Sequence, residues 1–106
     1  PAFDAAFCLN HLILKAIHVP DMQKEYIQEA HRFWDFYAIQ VNWESGRELE
    51  QRVARLLPAL MLARVDGKSP VEYLGRIQQG YVRALATSLL KRQTNQLSDV
   101  FAAGDF

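Results

Sequence analysis

Apolar residues recur at every third and fourth position along most of this chain, and no run alternates apolar with polar residues for long enough to make a strand. That spacing gathers side chains into one stripe only on a helix. It predicts an all-α fold of about four to five helices packed layer on layer, with no sheet. At 106 residues the chain is one domain by length, able to remove about two thirds of its unfolded surface from water. Half of the residues are hydrophobic, which excludes disorder except at the ends.

The first helix is predicted from about Asp4 to Ala16 or His18, with Asp4 as its cap and Pro20 as its stop. Leu9, Leu12, Ile13, Ala16 and Ile17 share one side while Phe7 and Leu14 occupy the other, so this helix should be central and buried. Asp21 is the predicted cap of a second helix in which Tyr26, Ala30, Phe33, Tyr37 and Val41 recur at helical spacing. Ser45 with Glu48 forms a capping box that opens a third helix along Leu49, Val53, Leu56, Leu60 and Ala63. Pro58 lacks the N–H that would reach the carbonyl of Ala54, so a kink or break is expected there.

Gly67 ends that pattern. Ser69-Pro70-Val71-Glu72 then supplies a capping serine, a proline at the first helical position and a glutamate at the third. The fourth helix should follow through Leu74, Ile77, Tyr81, Leu85 and Leu89 to a basic last turn at Lys91 and Arg92. Residues 1–93 thus read as a single helical domain and 94–106 as a loosely ordered tail.

Twelve cations balance twelve carboxylates, so net charge gives no pull toward nucleic acid or an anionic membrane. No stretch approaches the roughly 18 uncharged apolar residues of a membrane span, and no signal peptide opens the chain, so a cytoplasmic protein is expected. The lone Cys8 cannot form an internal disulfide and reads as a buried small hydrophobe. The chain begins at Pro1 without a methionine, through trimming or as a segment of something longer.

The motifs narrow the chemistry. Gly67-Lys68-Ser69 resembles the end of a phosphate-binding loop, but Leu62 stands where that motif needs a glycine, and the preceding pattern is helical. His11, His18 and His31 have no partner at the four-residue spacing with which two imidazoles grip a metal, so no metal site or catalytic histidine is assigned. Six aromatics between Tyr26 and Trp43 fit core packing better than a ligand-stacking platform. Arg64, Asp66 and Lys68 bracket the turn between the third and fourth helices, and two cations with a carboxylate there could meet an anionic or polyhydroxyl ligand.

Pro1-Ala2-Phe3-Asp4 followed by Ala5-Ala6-Phe7-Cys8-Leu9-Asn10-His11-Leu12 resembles a segment of the aminoglycoside phosphotransferase-like kinases, which include choline and methylthioribose kinases. Leu62-Ala63-Arg64-Val65-Asp66-Gly67-Lys68-Ser69-Pro70-Val71-Glu72-Tyr73-Leu74 is similar to a stretch near the C-terminus of some bacterial members. The resemblance implies the helical C-terminal part of a kinase-like C-lobe, beginning just after the metal-binding aspartate. The family's phosphate loop, catalytic loop and metal-binding aspartate are absent from these residues, so no catalytic residue or metal ligand is assigned, and ATP and magnesium are implied for the parent protein alone.

By the same resemblance Asp4 supports the catalytic loop, and Arg64, with Asp66 and Lys68 near it, faces the small-molecule acceptor. The upstream kinase lobes are then the partner, and without them the chain should expose apolar surface and pair with itself. The alternative from another class is a free-standing helical interaction module whose aromatic second helix binds a partner helix or groove.

Overall fold

The computed structural model describes residues 2–67, 73–104 and 106, and among them it contains five helices and no strand. The expected all-α class is therefore found. Helix α1 spans Ala2–His18, a short 3₁₀ turn spans Pro20–Met22, α2 spans Gln23–Gln40, α3 Gly46–Asp66, α4 Arg76–Arg92 and α5 Leu97–Ala103.

Helix α1 packs against both α2 and α3, α3 carries α4 on its other flank, and α5 lies against α3 and α4. The sequence of α1 explains its central place. Ala5, Ala6, Leu9, Ile13, Leu14 and Ala16 are all at most 1% exposed, which needs apolar side chains on more than one face and small ones where helices approach closely. Each of Leu9, Ile13 and Leu14 contributes about 1.5–3 kcal/mol by leaving water. Asn10 is drawn into the same core at 3% exposure, and its Oδ1 has no hydrogen-bond partner. Cys8 is half-buried, and burial pushes its thiol pKa up, away from the reactive thiolate.

Helix starts follow the sequence unevenly. Ser45 caps α3 as expected, its Oγ accepting from the Glu48 N–H at 3.1 Å. Asp4 is not the cap of α1, because the helix already includes Ala2 and Phe3, and Asp4 lies exposed within the first turn. Asp21 does not cap α2 either. Pro20, with its fixed φ, opens a 3₁₀ turn that absorbs Asp21, and α2 starts at Gln23 without a side-chain cap.

Helix α3 is not broken at Pro58, which is fully buried within a continuous helix. One missing backbone bond, at about 3 kcal/mol with its steric clash, is outweighed by the burial of Leu49, Val53, Leu57 and Met61 on the same helix. The core stripe of α3 continues through Leu57, Met61 and Val65, whereas Leu56 and Leu60 are half-buried and Ala63 is exposed.

The expected start of α4 at Ser69-Pro70-Val71-Glu72 lies outside the described residues. Tyr73, Leu74 and Gly75 precede the helix, and its core stripe is Val82, Leu85, Ala86 and Leu89. Ile77 sits about 140° around the helix from Val82 at 100° per residue, and it is 90% exposed rather than in the core.

The segment expected as a loose tail contains α5, and this is a correction. Leu97, Val100 and Phe101 are buried, the Leu97 N–H donates to Glu50 Oε2 at 2.8 Å, and the Phe101 ring lies 4.4 Å from that of His31. Three apolar residues at helical spacing, anchored by one carboxylate, hold seven residues that would not stay helical alone.

Candidate functional site

The turn between α3 and α4 was the sequence's candidate ligand site, and the fold separates its residues. Arg64 and Asp66 are two positions apart in the last turn of α3, so their side chains leave the helix on opposite sides. Asp66 turns toward α4. Its carboxylate accepts from Arg83 Nε at 2.8 Å and from Arg83 Nη2 at 2.7 Å, a two-pronged clasp. The guanidinium hydrogen bonds hold the Asp66 carboxyl below the usual carboxylate range. Lys68 lies outside the described residues.

Arg64 is half-buried and turns the other way, close enough to Tyr73 for its charge to act on the phenol. Tyr73 is the residue that the sequence reading missed. Its ring lies 4.5 Å from the Lys15 ammonium and 4.8 Å from the His18 ring, while its hydroxyl is buried with no hydrogen-bond partner among the described residues. Burial raises the Tyr73 pKa, Arg64 opposes that rise, and Tyr26 adds to it. The Lys15 cation over the ring and the Arg64 charge near it thus surround a phenol that is closed off from solvent.

Gln78 fixes the frame around that phenol. Its Nε2 donates to the carbonyls of Ile17 at 3.2 Å and His18 at 3.1 Å, the open C-terminal end of α1. Its Oε1 accepts from the Gly75 N–H at 3.2 Å, the open N-terminal end of α4, with His18 Nδ1 at 3.4 Å. One amide side chain thus caps two helices and ties them together. Gln78 stands at the third helical position after Gly75, the place of the acceptor in a capping box, and this was its legible signal.

The opposite end of α1 is different. Phe3 and Phe7 are 54% and 50% exposed, with ring centroids 6.1 Å apart, on the side of α1 that also leaves His11 in solvent. Asp4, next to Phe3 in the chain, is exposed as well. Burial raises the Tyr37 pKa, and the charges of Asp4 and then Glu44 raise it further. Tyr37 in turn stacks at 5.5 Å on Phe33 and at 6.5 Å on Trp34. This end is aromatic and acidic.

Among the described residues no three His, Cys, Asp or Glu side chains come together as metal ligands, and no helix is long and apolar enough to cross a membrane. Comparison of the chain with protein families, with characterised proteins and with solved structures gives no match.

Proposed function

We propose that these residues form the acceptor-side helical part of a phosphotransferase that moves the γ-phosphoryl group of ATP to a hydroxyl of a small molecule. The observation that carries the reading is the half-finished burial of α1. A helix with Leu9, Ile13 and Leu14 at most 1% exposed leaves Phe3 and Phe7 about half exposed at one end, the end at which the sequence resemblance implies contact with upstream kinase lobes. Asp4, next to Phe3 in the chain, is exposed, and its carboxylate is able to accept backbone N–H bonds from a neighbouring loop.

In this reading ATP and magnesium belong to the upstream lobes, where the resemblance implies the phosphate loop and metal-binding aspartate; the sequence given carries no phosphate-loop motif. Magnesium there would neutralise phosphate charge. The chain's own residues orient the acceptor: Arg64 supplies charge at one wall, and Asp66 serves Arg83 and the fold rather than the ligand. The compartment consistent with an ATP-dependent enzyme of this kind is the cytoplasm.

Steady-state kinetics on the full encoded protein test the assignment. Losing one charged hydrogen-bond partner typically costs about 1.5–3 kcal/mol, so Arg64→Ala should raise the acceptor KM roughly tenfold or more and leave the ATP constants nearly unchanged. Asp4→Ala should instead lower kcat. An acceptor KM within about twofold of wild type, a shift under ~0.5 kcal/mol, would reduce Arg64 to a solvated helix end.

A further inference from the structure

Helix α2 is the least embedded of the four long helices. Of its 18 residues Ile27 and Ala30 alone are buried, whereas α1 buries eight of 17. It packs along α1 and the 3₁₀ turn, and its first half reaches the rest of the fold through the C-terminal segment. The Phe101 ring lies 4.4 Å from that of His31, and Phe106 lines a shallow pocket with Gln23, Lys24, Ile27 and Gln28. The Phe106 ring also lies against Gly104, so closely that a Cβ there would collide with it.

The same segment is tied on its other side to α3 and α4. Glu50 of α3 holds the Leu97 N–H, Tyr81 of α4 donates its hydroxyl to the Gly104 carbonyl, and Leu97 and Val100 are buried against these helices. Among the described residues each of these ties needs a side chain, and no backbone ladder joins α5 to another element. Its seven residues are too few to stay helical alone, and no side chain of its own caps its start. Residues 93–96 join it to α4, and Gln93 has φ 51°, in the left-handed region that a non-glycine residue occupies under strain.

We propose that residues 93–106 are a releasable strap: α5 opens as one unit about Gln93 while α1, α3 and α4 stay folded, and its opening loosens the first half of α2. Glu50 is the latch, because it holds the first N–H of α5 from another helix. Phe101 and Phe106 carry the coupling, because they are the side chains that meet α2. With the strap closed, the first half of α2 is held by α1 on one side and by the C-terminal segment on another. With it open, α1 alone remains, and the burial of Leu97, Val100 and Phe101 is lost together, which makes the opening cooperative. The inference is independent of the phosphotransferase reading.

Residue-resolved amide hydrogen exchange on the 106-residue chain under native conditions tests this. In wild type the amides of α5 should exchange at one common protection level, at least about tenfold less protected than the core amides of α1 and α3. Glu50→Ala should quicken α5 about tenfold or more while the amides around Val53 and Leu57, on its own helix, stay within about twofold. Phe101→Ala should quicken both α5 and residues 27–32 of α2, and leave α1 within about twofold. The wild-type measurement stands without any variant. Amides of α5 as protected as those of α1 would overturn the proposal, as would a Glu50→Ala effect spread evenly over α3, or a Phe101→Ala effect that stops at α5 and leaves α2 unchanged.

Discussion

The two ends of α1 are built to opposite standards. At its C-terminus Gln78 caps the last carbonyls, Tyr73 lies between Lys15 and His18, and the neighbouring α3–α4 pair is clasped by Asp66 and Arg83. At its N-terminus Phe3 and Phe7 stand half in solvent beside an exposed Asp4. A single helix can thus be tied down by polar contacts at one end and leave large apolar side chains in solvent at the other, and the proposed function rests on that difference.

The largest effect that sharpens this contrast comes from two truncations two residues apart. Leu9→Ala should destabilise the chain by about 2–5 kcal/mol, since Leu9 is fully buried and its removal leaves a cavity. Phe7→Ser, at the open end, should change stability by less than about 1 kcal/mol. Urea unfolding followed by circular dichroism measures both. Comparable losses for the two would mean that the open end is as well packed as the core.

Next in size is the closed end. Gln78→Ala removes the bonds to Ile17, His18 and Gly75 together and should cost about 1–3 kcal/mol. Amide hydrogen exchange should then quicken in the first turn of α4 ahead of the rest of that helix. Unchanged exchange there would break the idea that one side chain finishes this end.

Gly67→Ala acts on the same side through sterics. A Cβ there would collide with the Ala63 carbonyl oxygen, the group that the Gly67 N–H already bonds at 2.8 Å. The last turn of α3 must shift, at about 1–2 kcal/mol, measurable as a lower Tm.

The smallest effect is electrostatic. The folded pKa of Asp66 is held below its ordinary 3.8 by Arg83, so the clasp stabilises fully above the unfolded value and its contribution is lost as pH falls through the folded one. Asp66→Asn should therefore lower Tm slightly at pH 7 and not at all well below the ordinary carboxylate value. A pH-independent difference would show that shape rather than charge holds α3 to α4 there.

How much of this was legible in the sequence depended on what local physics decides. The class was, because helical spacing over 17 to 21 residues survives any packing detail. The Ser45 cap was, because a side chain and a backbone N–H three residues apart meet without help. Other assignments required the tertiary structure. The core stripe of α3 rotates from Leu56 and Leu60 to Leu57 and Met61, Pro58 is carried by burial, and α5 holds its shape through Glu50, which lies 47 residues away in the chain. The α3–α4 turn was legible as polar but not as divided. Only the fold shows that Asp66 is claimed by Arg83 and that Arg64 shares its surroundings with Tyr73.

The central claim is that the open end of α1 meets the lobes of a phosphotransferase. It is tested most directly by assaying the full encoded protein for ADP release with magnesium, ATP and a panel of small hydroxylated acceptors. The account expects turnover that depends on one class of acceptor and falls at least tenfold in a Phe3→Glu, Phe7→Glu variant, whose isolated 106-residue chain keeps a wild-type helical spectrum. Contradiction would come from an encoded protein that starts immediately before Pro1, from no acceptor-dependent turnover, or from turnover indifferent to both charges.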